Sequence, residues 1–172
     1  MDGFFSTLQR RIRHWRVGAE HGRTLFPQDA LDAFTDAIAQ GEQTHRGEVR
    51  LIVETGLPGH AIWAGHTVRE RALALFAEHG IWDTEDNCGV LLYVNLAEHK
   101  VEIVADRAIN RVVPPDGWQA ICRELTSGFA GGRYRDSTLA AIEAIHALLR
   151  QHFPATGPRA NGNELPDAPL ML

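Results

Sequence analysis

The stretch from Trp82 to Val94, WDTEDNCGVLLYV, joins an acidic loop directly to a run of five apolar residues. The apolar run begins at Val90 and is too short for a helix, so it predicts a strand that is covered on both faces. Such a strand lies inside a sheet that has helices on either side. The stretch therefore indicates an α/β domain with an acidic loop at the amino end of a central strand.

The segments around this stretch complete a pattern of alternating strands and helices. Residues 48–54 alternate apolar and polar side chains as a strand does, and residues 67–79 begin with a capping box and predict a helix. With the central strand at 89–95 they form a right-handed βαβ unit, whose two strands are parallel. A tight reversal then leads into residues 101–106, which alternate again and predict an antiparallel hairpin partner.

Further helices are predicted before and after this unit. Apolar residues at helical spacing indicate one helix from Pro27 to about Gln43, one after Pro115 and a last one that ends before Pro154. The predicted fold is a three-layer α/β/α sandwich. Its small mixed sheet consists of the parallel βαβ unit plus the antiparallel hairpin strand, and helices flank it.

The chain is predicted to have three parts. Residues 1–23 form a basic amphipathic amino-terminal segment and linker, and residues 24–154 form the α/β domain. Residues 155–172 are rich in proline, glycine and asparagine and contain too few apolar residues for a core of their own, so they predict a disordered tail.

Composition and charge exclude several classes of function. At 172 residues, 44% hydrophobic and 23% charged, the chain is an ordinary globular domain, and its net charge of −5 argues against a nucleic-acid partner. The two cysteines, Cys88 and Cys122, form no CxxC pair, which indicates free thiols in a reducing compartment. No stretch approaches the roughly 20 apolar residues of a membrane span, and no signal peptide is visible. A cytoplasmic location is therefore predicted.

Residues 4–16 combine apolar side chains at near-helical spacing with four arginines, which is typical of a basic amphipathic helix. Such a helix can lie on an anionic membrane surface, which predicts a location peripheral to the inner membrane. The alternative is that the helix packs against its own domain or frays. The apolar positions are Phe4, Phe5, Leu8, Ile12 and Trp15.

From about Phe26 to Pro154 the chain resembles the TPM domain, which is named after a thylakoid lumen protein, a photosystem repair protein and a receptor accessory protein. The resemblance rests on three motifs in a fixed order: the loop at 82–89 with its strand, the hairpin return at 101–107, and Phe129 followed by Gly-x-Tyr at 132–134. Within this family the chain is similar to the short bacterial members. The resemblance implies the same α/β fold as the alternation of strands and helices.

Strand directions predict that two groups of polar residues meet at one edge of the sheet. The acidic loop precedes the central strand, and Asp106 and Arg107 follow its antiparallel neighbour. Carboxylate and amide oxygens are the ligands that Ca²⁺ and Mg²⁺ prefer, and the family resemblance likewise implies a divalent metal in this region. The alternative is that these side chains satisfy turn backbone groups while Arg107 pairs with a carboxylate. The predicted metal ligands are Asp83, Glu85, Asp86, Asn87 and Asp106.

The other candidate sites in the sequence are weaker. Cys88 stands where the family usually has Asn, and Ala108 where Gly is common; before an apolar strand, Cys88 indicates a small buried side chain rather than a reactive thiolate. The nine histidines form neither HxH nor HExxH, so a zinc site is not predicted. The loop at 55–66, with Trp63, lies at the carboxyl end of a parallel strand, where α/β sheets often bind ligands, and it competes with the acidic edge.

Two functions from different classes follow. The first is a TPM-like accessory or interaction module, non-catalytic or weakly catalytic, that binds an unidentified protein partner near the membrane and a divalent cation at the acidic edge. The second, which the resemblance implies, is a metal-dependent acid phosphatase-like phosphohydrolase. The chain has no P-loop, no Gly-x-Ser-x-Gly and no Cys followed by Arg in a phosphate-binding loop, so the first function is favoured.

Overall fold

A computed structural model of the chain describes residues 19–157 and 162–172. Its elements follow the predicted alternation of helices and strands. They are α1 (Ala19–Leu25), α2 (Gln28–Glu42), β1 (Glu48–Glu54), α3 (Gly59–Trp63), α4 (Val68–Glu78), β2 (Gly89–Asn95), β3 (Lys100–Ala105), α5 (Arg107–Asn110), α6 (Pro115–Ala130), α7 (Tyr134–His152) and β4 (Leu170–Met171).

The strands form one mixed sheet in the order β3-β2-β1-β4. β1 and β2 are parallel, with Glu48 opposite Gly89 and Glu54 opposite Asn95. β3 runs antiparallel to β2, with Ala105 opposite Val90. The parallel βαβ unit and the antiparallel hairpin strand that the sequence predicts are therefore both present.

Helices cover both faces of the sheet. On one face, residues such as Val49 and Leu92 pack against α2, α6 and α7. On the other face, residues such as Ile52 and Leu91 pack against α4. Every residue of β1 and β2 is buried, as the apolar run at the start of β2 predicts. The predicted three-layer α/β/α sandwich is confirmed.

The carboxyl-terminal segment differs from the prediction of a disordered tail at 155–172. Leu170 and Met171 form β4, which pairs with β1 in parallel, and Leu165 is buried on the α4 face of the sheet. The prediction was wrong for residues 162–172 because it required the segment to build a core of its own. A few apolar side chains suffice when a segment adds to the edge of a sheet that already exists.

The linker predicted at the end of the 1–23 segment, from Gly18 to Gly22, is also wrong in part, because α1 is helical from Ala19. The glycine serves close packing: a Cβ at Gly22 would lie 2.8 Å from Cγ2 of Thr55. The predicted amphipathic helix at 4–16 lies outside the described residues. No helix of the described residues has both the length and the apolar character that a membrane span requires.

Candidate functional site

The acidic loop is anchored at both ends by close packing. Ile81 is fully buried on the α4 face of the sheet, and the next residue, Trp82, is 51% exposed. At the far end, a Cβ on Gly89 would lie 1.8 Å from the carbonyl oxygen of Ile81. Only glycine allows this approach, so the start of β2 and the exit from α4 are held in contact.

Hydrogen bonds within the loop fix its turn. The Thr84 hydroxyl accepts a bond from the backbone N–H of Cys88 (2.9 Å), and the carbonyl oxygen of Thr84 accepts one from the N–H of Asn87 (3.0 Å). Asn87 itself has a positive φ of 52°, a conformation that Asn tolerates better than most residues. Thr84 thus satisfies turn backbone groups, as the alternative interpretation of the loop expects.

Asp86 is paired with a cation from another part of the chain. Its Oδ1 lies 2.9 Å from Nη1 of Arg46, which precedes β1. The alternative interpretation of the sequence expected such a pairing from Arg107, which lies on the other side of Asp86. Both side chains are partly exposed, and such pairs contribute at most about 1 kcal/mol to stability.

Asp106 is the buried carboxylate of this edge. It caps α5, since Oδ1 accepts a bond from the N–H of Arg107 (2.6 Å), and its own N–H donates to the carbonyl oxygen of Gly89 (2.9 Å). The side chain is 4% exposed, and Oδ2 is buried without a hydrogen-bond partner. Strand topology thus places Asp106 beside the end of the acidic loop.

The five predicted ligands do not share one pocket. Asp86 and Asn87 line a pocket of about 380 Å³ together with Arg107 and Arg111. Asp86 also lines a second pocket of about 660 Å³, with Glu85, on the side of β1; Asp83 and Asp106 line neither of the two. Within residues 19–157 and 162–172, no group of three or more His, Cys, Asp or Glu side chains is arranged to hold a metal ion.

Cys88 has the environment of a structural thiol. It is fully buried, and its Sγ donates to the carbonyl oxygen of Asp86 (3.2 Å). Burial, assisted by the nearby carboxylate of Asp86, raises the pKa of the thiol to about 12. At neutral pH the group is therefore protonated and a poor nucleophile.

A buried histidine pair was not predicted from the sequence. Nε2 of His45 and Nδ1 of His146 are 2.7 Å apart, and the rings stack with centroids 5.0 Å apart. The N–H of Gly47 donates to Nδ1 of His45 (3.2 Å), so Nε2 of His45 carries the proton that His146 accepts. His146 then carries its own proton on Nε2, which is buried without a well-aligned hydrogen-bond partner, although the carbonyl of Ala37 lies nearby.

The His146 ring is enclosed by a close contact between α2 and α7. A Cβ at Gly41 would lie 2.2 Å from the imidazole, and the ring is 1% exposed. Burial lowers the pKa of His146 to about 4; Arg150 adds to this shift, while Glu143 and the carbonyl of Ala37 oppose it. The ring is neutral at physiological pH. The only indication of this burial in the sequence was the position of His146 among the apolar residues of α7.

The carboxyl end of the parallel strands holds a fully connected polar network. Oε2 of Glu54 accepts a bond from the Tyr93 hydroxyl (2.5 Å), which accepts one from Nδ2 of Asn95 (2.9 Å). Arg71 of α4 donates from Nε (3.1 Å) and Nη2 (2.9 Å) to Oε1 of Glu54. Burial and the Glu54 carboxylate raise the pKa of Tyr93, so its phenol remains protonated.

The layer formed by α3 and α4 exposes large apolar side chains. Trp63 ends α3 and is 66% exposed, and Leu73 in the middle of α4 is 47% exposed. Trp82 follows the end of α4 and begins the acidic loop. α4 runs antiparallel to β1 and β2, so the three residues are distributed along the whole length of this layer.

A four-stranded mixed sheet between two helical layers, with an acidic loop leading into the central parallel strand, defines a particular class of α/β sandwich. The NMR structure of the BA42 protein from the psychrophilic bacterium Bizionia argentinensis has this fold, with a TM-score of 0.71 and 26% identity over 84% of this chain and 93% of that one. The N-terminal domain of a P. gingivalis protein is similar in fold, with a TM-score of 0.61 and 14% identity over 77% and 83% of the two chains.

The family is identified by the sequence itself. The TPM domain matches residues 22–148, and the chain therefore belongs to the TPM-domain family, as the three motifs predicted. Among curated proteins, none matches the chain at a significant level.

Proposed function

We propose that this chain is a non-catalytic accessory module that binds a protein partner over the α3–α4 layer. The observation that carries the proposal is the exposure of Trp63, Leu73 and Trp82 along that layer. Tryptophan is enriched at the centres of protein interfaces, where its large side chain fills pockets of the partner.

The charges of the layer favour a protein over an anionic membrane as the partner. α4 places Arg69, Glu70 and Glu78 on its exposed surface, so both signs are present around the apolar side chains. A helix that binds anionic lipid carries an excess of lysine and arginine on its polar face. A mixed polar rim around an apolar centre is instead typical of protein interfaces.

The alternative of a metal-dependent phosphohydrolase is not favoured. The thiol of Cys88 is buried and protonated, and the carboxylate of Asp86 is held by Arg46. Arg107 and Arg111 line the pocket beside Asp86, where they weaken the binding of the cation that such a reaction requires.

A site-specific crosslinking experiment tests the partner surface. A photoreactive amino acid replaces Leu73 in the full chain, and a matched control places it at Gln119, which is exposed on α6 on the opposite face. We expect one discrete crosslinked protein from position 73, competed by excess untagged chain and lost when Trp63→Ala and Trp82→Ala are added. Equal crosslinking from position 119, or crosslinking that persists in the double variant, would contradict the proposal.

A divalent cation at the acidic edge is a second proposal, which rests on Asp106. A buried carboxylate oxygen that accepts no hydrogen bond can instead coordinate a cation. Asp106 would hold the ion with help from Asp86 and Asn87, and the ion would supply a fixed positive charge beside the loop. Because Arg107 and Arg111 line the pocket of Asp86 and Asn87, the expected affinity is weak, roughly millimolar.

Calorimetric titration with Ca²⁺, Mg²⁺ and Zn²⁺ tests this second proposal. We expect binding of Ca²⁺ or Mg²⁺ to the wild-type chain and none to Asp106→Asn, which retains the size of the side chain and removes its charge. Asp83→Asn, which changes an exposed carboxylate of the same loop, serves as the control and should bind normally. Binding that is unchanged in Asp106→Asn would exclude the site.

A location peripheral to the membrane rests on residues 4–16 alone. We expect the full chain to co-sediment with vesicles that contain anionic lipid, and deletion of residues 1–18 to abolish this association, because the deletion removes the arginines and their apolar neighbours. Neutral vesicles are the control. Equal sedimentation of the full and shortened chains would contradict the membrane association and would leave the protein-partner proposal unaffected.

A further inference from the structure

The outer edge of β1 is occupied by the carboxyl-terminal segment of the same chain. The N–H of Leu172 donates to the carbonyl oxygen of Val53 (2.9 Å), and the N–H of Thr55 donates to the carbonyl oxygen of Leu172 (2.9 Å). β4 thereby extends the sheet by one short parallel strand. Without it, β1 would present a row of unpaired backbone groups, which is the feature that binds an additional strand in β-augmentation.

Arg50 recognises the backbone of this segment rather than its side chains. It extends from β1, is only 8% exposed, and its Nη1 donates to the carbonyl oxygens of Pro166 (2.6 Å) and Ala168 (2.5 Å). Prolines cannot form a regular ladder, so their neighbouring carbonyls are available to such a donor. The carboxylate of Glu48 likewise accepts a bond from the N–H of Leu165 (3.3 Å).

Side chains of the segment enter both faces of the sandwich. Leu165 and Leu170 pack with the cluster on the α4 face, and Met171 packs with the cluster on the α2 and α7 face. Backbone contacts combined with separate apolar pockets are the pattern by which sheet edges bind extended peptides. Glu48, Arg50 and the β1 edge thus form a groove that holds an extended segment.

The groove lies within the part of the chain that matches the family domain, and its occupant lies outside that part. β1 belongs to the part that matches the TPM domain, residues 22–148, whereas the occupant at 164–172 lies beyond that part. The segment is covalently attached only through the residues that follow α7. The part that matches the family domain therefore carries the edge, and the segment that covers the edge lies outside that part.

We propose that the β1 edge is a docking groove for an extended, proline-containing peptide, and that residues 164–172 are its resident occupant. The preferred peptide has an apolar residue followed by proline, and two apolar residues about five positions further on. This surface is distinct from the α3–α4 layer and does not depend on the function proposed for that layer. A covalently attached occupant acts at an effective concentration in the millimolar range, so an outside peptide must compete with it.

A labelled peptide tests the groove in the full chain. The probe is a fluorescein-labelled peptide of residues 162–172, and binding is measured by fluorescence anisotropy. Leu165→Glu in the chain weakens the attached segment, since it places a carboxylate in an apolar pocket beside Glu48. We expect the Leu165→Glu chain to bind the peptide at least about ten-fold more tightly than the wild type does, because the attached competitor is weakened.

Arg50→Met, added to Leu165→Glu, supplies the matched control. It keeps the apolar stem and removes the donors to the two carbonyls, so we expect at least a ten-fold loss of binding. Circular dichroism verifies folding, and Leu170→Asp replaces Leu165→Glu if that variant does not fold. Equal binding to the wild-type and weakened chains, an Arg50→Met variant that binds normally, or equal binding of a scrambled peptide would each overturn the proposal.

Discussion

The two ends of the parallel strands differ in how completely their buried polar groups are hydrogen-bonded. At the carboxyl end, Glu54, Tyr93 and Asn95 bond to one another and to a single arginine of α4. At the amino end the matching is incomplete. Of the four buried side-chain atoms without a hydrogen-bond partner in the described residues, three lie there: Nε of Arg46, Oδ2 of Asp106 and Nε2 of His146.

This difference separates stability from binding capacity. α/β sheets commonly bind ligands at the carboxyl ends of their strands, yet here the polar groups at that end already satisfy one another. A ligand would have to displace strong bonds to a buried charge. The amino end keeps unsatisfied groups, which reduces stability and leaves capacity for a ligand. Mutations at the carboxyl end should therefore mainly reduce stability. Mutations at the amino end should mainly affect ligand binding.

The largest loss of stability is expected from Glu54→Ala. This change leaves the Arg71 guanidinium and the Tyr93 hydroxyl without their shared partner, and breaking a buried ion pair costs about 3–5 kcal/mol. Urea unfolding followed by circular dichroism measures it. Glu102→Ala, which removes a more exposed ion pair with Arg69, is the control and should cost less than about 1 kcal/mol. A loss at Glu54 no larger than that at Glu102 would show that the carboxyl end is not the stabilising one.

Acid should weaken the fold through the amino end. The pKa of His146 is about 4 in the folded chain, against the ordinary value of 6.5, so below pH 6.5 the unfolded chain binds a proton that the folded chain does not. The contribution of the neutral ring to stability is complete above pH 6.5 and is lost as the pH falls toward 4. Between pH 7.5 and pH 5 the loss is on the order of 2 kcal/mol.

The variant His146→Gln should flatten this pH dependence, because glutamine does not titrate. His152→Gln on the same helix is the control and should leave the dependence unchanged. Urea unfolding at several pH values between 4.5 and 7.5 provides the measurement. If stability still fell with pH in His146→Gln, other titratable groups would be responsible for the pH dependence.

A smaller loss of stability is expected from Tyr93→Phe, and a still smaller one from Asp106→Asn. Tyr93→Phe leaves Glu54 and Asn95 each without a bond and should cost about 1–3 kcal/mol. Asp106→Asn keeps an oxygen that can cap α5 and removes an unsatisfied charge, so its stability should stay within about 1 kcal/mol of the wild type. Thermal unfolding ranks the two variants, and the reverse ranking would contradict the contrast between the two ends.

The smallest effect on stability is expected from Trp82→Ala. Its side chain is half exposed at the junction of α4 and the acidic loop, and surface substitutions usually stay within about 0.5 kcal/mol. The same variant should reduce crosslinking to a partner from position 73. A large loss of stability would mean that Trp82 packs as part of the core and would remove it from the proposed interface.

The fold was predictable because its signals are local. The alternation at 48–54, the capping box of α4 and the apolar run after Gly89 each depend on a few neighbouring residues, and strand direction follows from their order. The proximity of Asp106 to the acidic loop followed from the same order of strands.

The remaining features depend on contacts between residues that are distant in sequence. Asp86 pairs with Arg46, 40 residues before it, and the predicted ligands do not share one pocket. The two histidines of the buried pair are 101 residues apart, and no spacing rule connects them. The carboxyl-terminal strand was missed because its few apolar residues pack only against an edge that the rest of the chain provides.

The contact between Gly41 and His146 has a consequence for sequence variation among relatives. The imidazole occupies the volume in which a side chain at position 41 would begin, so the two positions share one fixed space. Relatives with a larger residue at position 41 should carry a smaller one at position 146, and they should retain histidine at 45 only where another acceptor replaces the lost ring nitrogen. Covariation of these three positions would trace which lineages inherited the acid-sensitive pair.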